Sequence, residues 1–572
     1  MGAYRTLQSW IRAWSVPEDP RPIDPAGATA ACVTLRFAGR VMGRATVVSD
    51  AGDAVWSAAR GAIAAAAVKM PVERDALRRE HLRELAPRVE IDLQVAGPMT
   101  PILEDTLTAA SRTVAPGRQG VAARSGKRVE AIFPGVMLST NMTPGDGLIA
   151  ALGGLGLAPV GLAEIRKDTE LVLYRFDVQH LAQPDAGAAP IFLTRGGRVV
   201  STRDITPASL TTLGDRLAVN LMRRRWPGKE PYGMRGTYLP WNDTYQPQGA
   251  ADPVQQALAA YALARWAGAR RGRSSVTDAA AAFARHVLDD LDAAGAGKPG
   301  PRESVAIASM HTIATLAVAR LGAESSEKQT AAPDAAPQTP DPATPAPAQT
   351  GGAVRAADTG ADIPAPIRAV RAFAHASAAR AYGLDVFRGA AGDEIRALFA
   401  RTKPGMLSGL MPWLGFAELD LLDPNDPVPS AIVLREFRDQ VERRQITLED
   451  AAPSGDEDLV GGIVFSTGDA ALPTWQSLRP LVFLARMLGD DRLTAPEERS
   501  EHLVRLLDGL RYARQLVADD AVCHMFPVRD RALWGVRSAL WDQRQPLEAT
   551  ALTLLLVTES LDAVDRIAAD AR

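Results

Sequence analysis

The residues best suited to chemistry occur in two stretches near the C-terminal end, and the first of these is 461–488. A Gly pair and a short apolar piece lead into a polar turn that contains Asp469. Pro473 then suits a helix start, and Trp475 and Arg479 fall in the first turns that follow it. An acidic loop followed by a helix that opens with an aromatic residue and an arginine predicts a ligand site.

The second stretch, 525–556, repeats this combination ahead of a long apolar run. It carries Arg537, Trp541 and Asp542 close together. An aromatic ring offers its face to the C–H side of a sugar, while charged groups hydrogen-bond to hydroxyls. The tryptophans and arginines of both stretches are therefore predicted to bind substrate, and a small carbohydrate is the ligand that they suit.

Two aspartates in these stretches are the predicted catalytic pair. Hydrolysis of a glycosidic bond uses two carboxyl groups, about 5–5.5 Å apart for retention or about 6.5–9.5 Å for inversion. Asp469 and Asp542 are the carboxyl groups that we assign to these roles. Structural roles are equally open: Asp469 suits a turn before a helix, and Asp542 suits a cap or turn before Pro546. The tryptophans also suit wedges between helices, and the arginines suit helix C-termini or these same acids.

The totals of the 572-residue chain exclude several classes of function. A net charge of −3 gives no basic footprint for nucleic acid. Only two cysteines occur, Cys32 and Cys523, and this number does not support a disulfide framework or a zinc site. We predict no metal site and no cofactor, because the sequence carries no P-loop, dinucleotide fingerprint or set of ligands at metal spacing.

The expected location is the cytoplasm. No unbroken apolar run approaches the roughly 18 residues of a membrane span, and the N-terminus lacks a signal-peptide core of the expected length. We therefore expect no membrane partner. The oligomeric state is left open.

The chain is predicted to be multidomain, with an N-terminal α+β domain over 28–185. Residues 1–27 end in a Pro-rich acidic run and are predicted to be a flexible leader. Alternation of apolar and polar residues indicates strands, and the clearest is 89–95. The other strands of this domain are predicted at 32–37, 41–48, 128–133 and 171–176.

The strand at 89–95 predicts two different faces for the sheet. Its apolar residues share one parity and are expected to face helices. Glu90, Asp92 and Gln94 share the other parity. This polar set is expected to face solvent or a shallow cleft.

Three stretches of the α+β domain carry a resemblance to a known family. CVTLRFAGRVMGRATVV at 32–48 is similar to the family's opening strand–turn–strand, and GVAARSGKRVEAIFPGV at 120–136 resembles its charged turn between strands. GLIAALGGLGLAP and LVLYRF, at 147–159 and 171–176, resemble its late helix, glycine turn and closing strand. The family is the AMME chromosomal region candidate protein family. The resemblance implies an α+β fold and no particular activity.

One departure from this family bears on function. The family's opening carries an Arg-Gly-Cys-Ile-Gly motif, and the position of its cysteine is occupied by Arg44 here. A fixed cation with five donors suits a carboxylate or phosphate rather than thiol chemistry. Arg44 is therefore a predicted anion site, and the structural alternative is an exposed strand residue.

The C-terminal part is predicted to be an all-α domain over 251–572. Residues 186–250 connect to it through a predicted hairpin, a helix and an aromatic loop. From 253 onward only helical periodicities occur, and short turns alternate with long loops that hold Gly, Asp, Trp and Pro. This alternation predicts an α/α toroid and resembles six-hairpin-like toroid proteins. Residues 324–366 are rich in Pro and Ala and lack large apolar residues, so they are predicted to be a disordered insert.

Two classes of function follow from these features. One is a protein that processes or binds a carbohydrate in a pocket at the toroid mouth. The other is a non-catalytic scaffold that presents the toroid to a peptide or protein, which the Pro-rich insert favours. A common concave pocket for Asp469 and Asp542 would favour an enzyme.

Overall fold

The protein has an N-terminal part built around one sheet and a C-terminal part built from helices. The coarse prediction of an α+β part followed by a helical part is confirmed. The computed structural model describes residues 1–69, 75–157, 161–228, 233–272, 274–295, 302–330, 363–465 and 472–570.

The N-terminal sheet has seven strands, in the order β2-β1-β3-β6-β4-β5, with β7 paired to β6. All the described pairs are antiparallel, and the five predicted strands are confirmed. The third strand runs past its alternating segment through an irregularity between Ala96 and Met99. The strands are β1 (Ala30–Phe37), β2 (Arg40–Val48), β3 (Glu90–Ile102), β4 (Gln119–Ser125), β5 (Arg128–Ile132), β6 (Val172–Ala182) and β7 (Ile191–Leu193).

The helices of the N-terminal part, apart from the one at Pro134–Thr140, pack on one face of this sheet. The apolar residues of β1 and β3 are buried against two helices, which confirms the apolar parity of the third strand. Gly43 lets one of these helices approach the sheet closely, because a Cβ at this position would lie 2.0 Å from the carbonyl oxygen of Ala62. The helices are α1 (Gly2–Ala13), α2 (Ala54–Lys69), α3 (Asp75–Leu85), α4 (Leu107–Arg112), α5 (Pro134–Thr140), α6 (Pro144–Gly154) and α7 (Leu162–Thr169).

The prediction of a flexible leader at 1–27 is wrong. Helix α1 lies in this range and packs on the sheet, with the hydroxyl of Tyr4 donating to the carbonyl of Ile91 at 2.9 Å. The Pro-rich run is also held, because the carboxylate of Asp24 accepts from the first two backbone N–H groups of α2. Apolar residues at three- and four-residue steps precede the prolines and are the helical signal of α1.

The polar face of the sheet is buried. The prediction that the polar residues of the third strand face solvent or a shallow cleft is therefore wrong. Glu90, Asp92 and Gln94 expose only 8%, 3% and 1% of their surfaces. The side chain of Gln94 accepts from the backbone N–H of Gly135, and His524 of the helical part lies beside Asp92. The polar residues face the helical part because that part packs on this side of the sheet.

The connecting segment contains a second small sheet where an aromatic loop was predicted. Strands β8 (Arg235–Leu239) and β9 (Thr244–Ala250) form a hairpin. The rings of Tyr238 and Tyr245 lie across this hairpin, 5.0 Å between centroids. The predicted helix is confirmed as α8 (Pro207–Arg223), which begins at a capping box on Thr206. The predicted hairpin near 196 is reduced to one bridge, because β7 pairs with β6 instead.

In the helical part, six helices contact one another in a closed ring. The order around the ring is α9, α11, α12, α14, α17 and α21, and α14 meets α17 through Phe416 and Phe483. Helices α10, α13 and α18 pack outside the ring. The helices are α9 (Pro253–Ala269), α10 (Ser275–Ala293), α11 (Arg302–Thr330), α12 (Ala365–Tyr382), α13 (Asp385–Arg401), α14 (Trp413–Leu421), α15 (Ala431–Arg443), α16 (Leu448–Ala451), α17 (Leu478–Leu488), α18 (Arg499–Leu516), α19 (Asp520–Cys523), α20 (Arg529–Ala532) and α21 (Leu547–Asp570).

Helix α11 bears on two sequence predictions. Its segment Val305–Ala323 is the one stretch of the described helices that is long and apolar enough to cross a membrane, but 61% of its most apolar window is buried within the ring. The helix also continues to Thr330, and α12 begins at Ala365, so helices enter both ends of the predicted insert. The rest of that insert, 331–362, lies outside the described residues.

Arg195 joins the two parts of the protein. Its two terminal nitrogens donate to Asp456 and Asp458 of the helical part, each at 2.5 Å. Its Nε donates to the carbonyl of Pro116 in the sheet part at 3.0 Å. Burial opposes the charge, but the two carboxylates outweigh it and raise the pKa of Arg195.

Replacing Leu7 tests whether α1 belongs to the core. Leu7→Ala is expected to destabilise the protein by about 2–5 kcal/mol, because it leaves a cavity between α1 and the sheet. Urea unfolding followed through tryptophan fluorescence measures this loss. Arg5→Ala, at an exposed position of the same helix, is the matched control and should cost less than about 0.5 kcal/mol. Equal losses for both variants would contradict the packed position of α1.

Glu90 predicts a pH dependence of stability. Burial raises its pKa to about 7, Arg529 and Arg36 oppose the rise, and Asp185 adds to it. The folded protein therefore binds a proton more tightly than the unfolded chain. This contribution is complete below the ordinary value near 4.5 and is lost as pH rises through about 7.

Glu90→Gln should remove this dependence. Between pH 5 and pH 8 the wild type is expected to lose about 2–3 kcal/mol of unfolding free energy relative to this variant. Denaturant unfolding at several pH values measures the difference. Parallel pH profiles for the two proteins would show that Glu90 does not take up a proton on folding.

Candidate functional site

The start of α17 is built by a capped turn and a buried tyrosine. Residues 475–477 form one turn of 3-10 helix, and the hydroxyl of Thr474 caps it by accepting from the backbone N–H of Gln476. The hydroxyl of Tyr512 donates to the carbonyl of Pro473 at 2.6 Å. The segment that carries Trp475 is therefore fixed by contacts on both sides.

The two stretches singled out by sequence lie side by side. The backbone N–H of Trp475 donates to the carbonyl of Ser538 at 3.0 Å, and the N–H of Ser538 donates to the carbonyl of Arg544 at 2.7 Å. The segment 533–546 therefore runs next to the start of α17. The structure brings the two predicted site segments together at the N-terminal ends of two neighbouring ring helices.

An ion pair between Arg479 and Glu548 marks this end of the ring. Arg479 lies in the first turn of α17 and Glu548 in the first turn of α21, and their side chains are hydrogen-bonded. The guanidinium of Arg479 also lies 5.7 Å from the ring centroid of Trp475. Burial raises the pKa of Glu548, Arg479 lowers it in part, and the charge of Asp252 adds to the rise.

Arg479 and Gln476 line an open pocket of about 820 Å³. The remaining wall comes from 403–409, the C-terminal end of α15 and Phe465. Cationic side chains of the wall are Lys403, Arg444 and Arg479, and none of its lining residues is an acid. A pocket of this size and charge accommodates an anionic small molecule.

Only one residue of the predicted catalytic pair, Asp542, lies within the described residues. Asp542 is held by Arg544, whose Nε donates to both carboxylate oxygens at 2.9 Å and whose backbone N–H donates at 3.2 Å. Asp542 does not line the pocket beside Arg479. Asp469 lies outside the described residues. The pairing of the two aspartates stays a prediction.

Two of the predicted binding residues lie at the junction between the parts instead of in the pocket. Arg537 is 1% exposed, and its guanidinium donates to the carbonyls of Leu516 and Gln515 at 3.2 and 2.6 Å. Trp541 packs in a cluster that includes Leu138 of α5. Both side chains hold loops in place, because the sheet part covers the segment that carries them.

Arg44 is partly buried on the polar side of the sheet. Its Nε donates to the hydroxyl of Thr34 at 3.1 Å, and a terminal nitrogen donates to the hydroxyl of Ser139 at 3.4 Å. Two donors of the Arg44 guanidinium are therefore occupied by neutral hydroxyl groups. The anion site at Arg44 stays a prediction.

Glu548 is one of the acids of the stretch 525–556, and the sequence prediction assigned the catalytic roles to Asp469 and Asp542 instead. It follows Pro546 at the start of α21, where an acid favours the helix N-terminus. Its contact with Arg479 joins residues 69 positions apart, and no spacing rule reveals such a contact. Within the described ranges, no group of three or more His, Cys, Asp or Glu is arranged to hold a metal ion.

Comparisons with known proteins give no family. No protein-family model matches the chain, and no curated protein matches it. Among solved structures, an uncharacterized protein from Pyrococcus horikoshii is 16% identical, with a TM-score of 0.26 over 34% of this chain and 93% of that chain. A family 76 glycoside hydrolase from a bovine Bacteroides thetaiotaomicron strain is 9% identical, with a TM-score of 0.35 over 83% of this chain and 96% of that chain.

The ion pair at the pocket predicts a stability loss that depends on pH. Arg479→Met leaves the carboxylate of Glu548 without its cation and should cost about 1–3 kcal/mol at pH 7.5. A raised pKa means that the carboxyl becomes neutral as pH falls, so the loss should shrink toward pH 4.5. Urea unfolding at both pH values measures it.

A double variant provides the control for this experiment. Arg479→Met with Glu548→Gln removes both charges and should recover most of the stability lost at pH 7.5. A loss that is the same at both pH values, or one that the double variant does not recover, would contradict the pairing.

Proposed function

We propose that the helical part is an α/α toroid whose mouth pocket, beside Arg479, binds an acidic carbohydrate. The pocket of about 820 Å³, with three cationic side chains in its wall, is the observation that carries this proposal. Carboxylate groups of a sugar acid suit arginine, which offers paired donors in one plane. The amides of Gln440 and Gln476 and the hydroxyl of Ser408 supply further partners for sugar hydroxyls.

The described acids favour binding over hydrolysis. Glu548 is engaged by Arg479, and Asp542 is engaged by Arg544. A carboxyl with a raised pKa suits a general acid, and Glu548 is such a group. We therefore propose a carbohydrate-binding pocket, and assign Glu548 the proton-donating role if sugar cleavage is detected.

A second candidate function is the binding of a peptide, and the apolar rim of the same pocket favours it. Met406 is 71% exposed and Phe465 is 38% exposed, and both line the pocket. Flexible thioether side chains suit apolar peptide side chains. A non-catalytic scaffold would use this rim instead of the arginines.

We also propose that the N-terminal part is a domain similar to the AMME chromosomal region candidate protein family. The support is the order of elements that the resemblance implies, since the strands expected at 32–37, 41–48, 128–133 and 171–176 are present. Its polar face packs on the helical part, so its proposed role here is to hold the loops of the mouth.

Calorimetry with sugars of matched length tests the proposed ligand. Oligogalacturonides are expected to bind, and uncharged cello-oligosaccharides are expected to bind at least tenfold more weakly, because they offer no carboxylate to the arginines. Arg444→Gln should weaken oligogalacturonide binding about tenfold, which corresponds to about 1.4 kcal/mol. The matched control is Arg443→Gln, an exposed neighbour outside the pocket wall.

Three results would contradict the proposal. These are equal affinity for charged and uncharged sugars, equal effects of the two arginine variants, and absence of sugar binding. Binding of an apolar peptide that Met406→Ser abolishes would favour the scaffold function instead. Release of new reducing ends that Glu548→Gln abolishes would establish cleavage.

A further inference from the structure

A second cavity lies at the opposite end of the helical ring from Arg479. Its volume is about 340 Å³, and it is lined by residues from all six ring helices. Glu559 of α21 lies in its wall, eleven residues beyond Glu548. At 1.5 Å per residue this places the cavity about 16 Å along the helix from the mouth. The cavity is therefore separate from the pocket proposed to bind carbohydrate.

The charged wall of this cavity carries more arginines than acids. Five arginines face three carboxylates, which leaves an excess of two positive charges. Cations near helix C-termini stabilise the helices, and this explains single arginines at such positions. It does not explain an excess that converges on one cavity. The arginines are Arg265, Arg320, Arg380, Arg486 and Arg566.

The acids are already shared among these arginines. Glu559 lies 2.5 Å from Arg265 and 3.8 Å from Arg486. Asp420 lies 3.2 Å from Arg380 and 4.0 Å from Arg320. Both of these carboxylates thus serve two cations, and the positive charge of the wall stays in excess.

Like charges in the wall also act on one another. Burial lowers the pKa of Arg566, and the nearby charge of Arg486 lowers it further. Two buried donors, Nε of Arg265 and Nη2 of Arg320, have no hydrogen-bond partner among the described residues. Unsatisfied buried donors and repelling cations are both relieved by an anion in the cavity.

The rest of the wall is apolar and aromatic. Phe373 and Phe416 pack with ring centroids 5.6 Å apart, and Ile313 and Leu316 of α11 lie in the same wall. Such a surface receives the body of an organic ligand, while the arginines receive its charged end.

We propose that this cavity binds a small organic dianion, a phosphate monoester or a dicarboxylate, with its charged group on the arginines and its apolar body against the two phenylalanines. Two negative charges match the excess of the wall. The volume suits a small metabolite and excludes a polymer.

Phenyl phosphate, phenol and succinate are the probes for this site in the full-length protein. The wild type is expected to bind phenyl phosphate or succinate in calorimetry and to bind phenol at least tenfold more weakly. Stronger binding of phenyl phosphate identifies phosphate esters as the ligand class, and stronger binding of succinate identifies dicarboxylates.

Neutralising two partly exposed arginines of the wall tests the charge. Arg320 and Arg380 have side chains that are 42% and 54% exposed, so their replacement should preserve the fold. The double variant Arg320→Gln with Arg380→Gln should bind the dianion at least tenfold more weakly. Arg320→Lys with Arg380→Lys keeps the charge and should retain most of the affinity. Arg396→Gln with Arg401→Gln, exposed on α13 outside the cavity, is the matched control.

Three other results would overturn the proposal. These results are equal binding of phenol and phenyl phosphate, unchanged binding in the glutamine double variant, and no binding of either dianion to the wild type. If the glutamine variant unfolds, comparison of the lysine variant at low and high salt decides. Binding that is insensitive to salt would then exclude an electrostatic site.

Discussion

A buried cation, Arg195, joins the two parts of the protein. Its guanidinium satisfies two carboxylates of the helical part and a carbonyl of the sheet part at the same time. Removing one partner from a buried ion pair costs about 3–5 kcal/mol, so a shift of either part is strongly opposed. Arg511 and Gln515 of α18 hold the backbone of the same segment at Val200, which fixes the chain that carries Arg195. The position of the sheet over the loops at 533–546 follows from these contacts.

The sheet can serve this role because its two faces have different chemistry. One parity of β3 is apolar and closes a core with α1 and α2, while the other carries ionisable groups toward the helical part. Asp92 accepts from His180 at 2.9 Å, and His524 approaches it from the other part. Burial opposes ionisation, but the two histidines lower the pKa of Asp92 well below its ordinary value. The interface is thus polar, and Arg537 is buried while Trp541 packs in a cluster with Leu138.

The helical ring separates two chemically distinct ends. Buried aromatic side chains such as Phe416 and Phe483 contact each other between neighbouring ring helices. At the end nearest the sheet, Arg479, which is paired with Glu548, lines an open pocket with a cationic wall. At the other end, arginines of the ring helices line a smaller cavity.

Sequence by itself determined the elements, because strands and helices follow from periodicities of two and 3.6 residues within short segments. The sequence located five strands of the sheet, the extent of the helical part and the loop–helix junction that carries Trp475 and Arg479. The tertiary structure decided which side chains face one another. Asp542 was predicted to be a catalytic acid, but its carboxylate is held by Arg544. Glu548 instead contacts Arg479, because α17 packs against α21. The sequence identified the polar residues of the third strand, but their burial was decided by the helical part that covers them. Contacts between residues far apart in sequence leave no local pattern, because each charged residue by itself looks like an ordinary surface residue in the sequence.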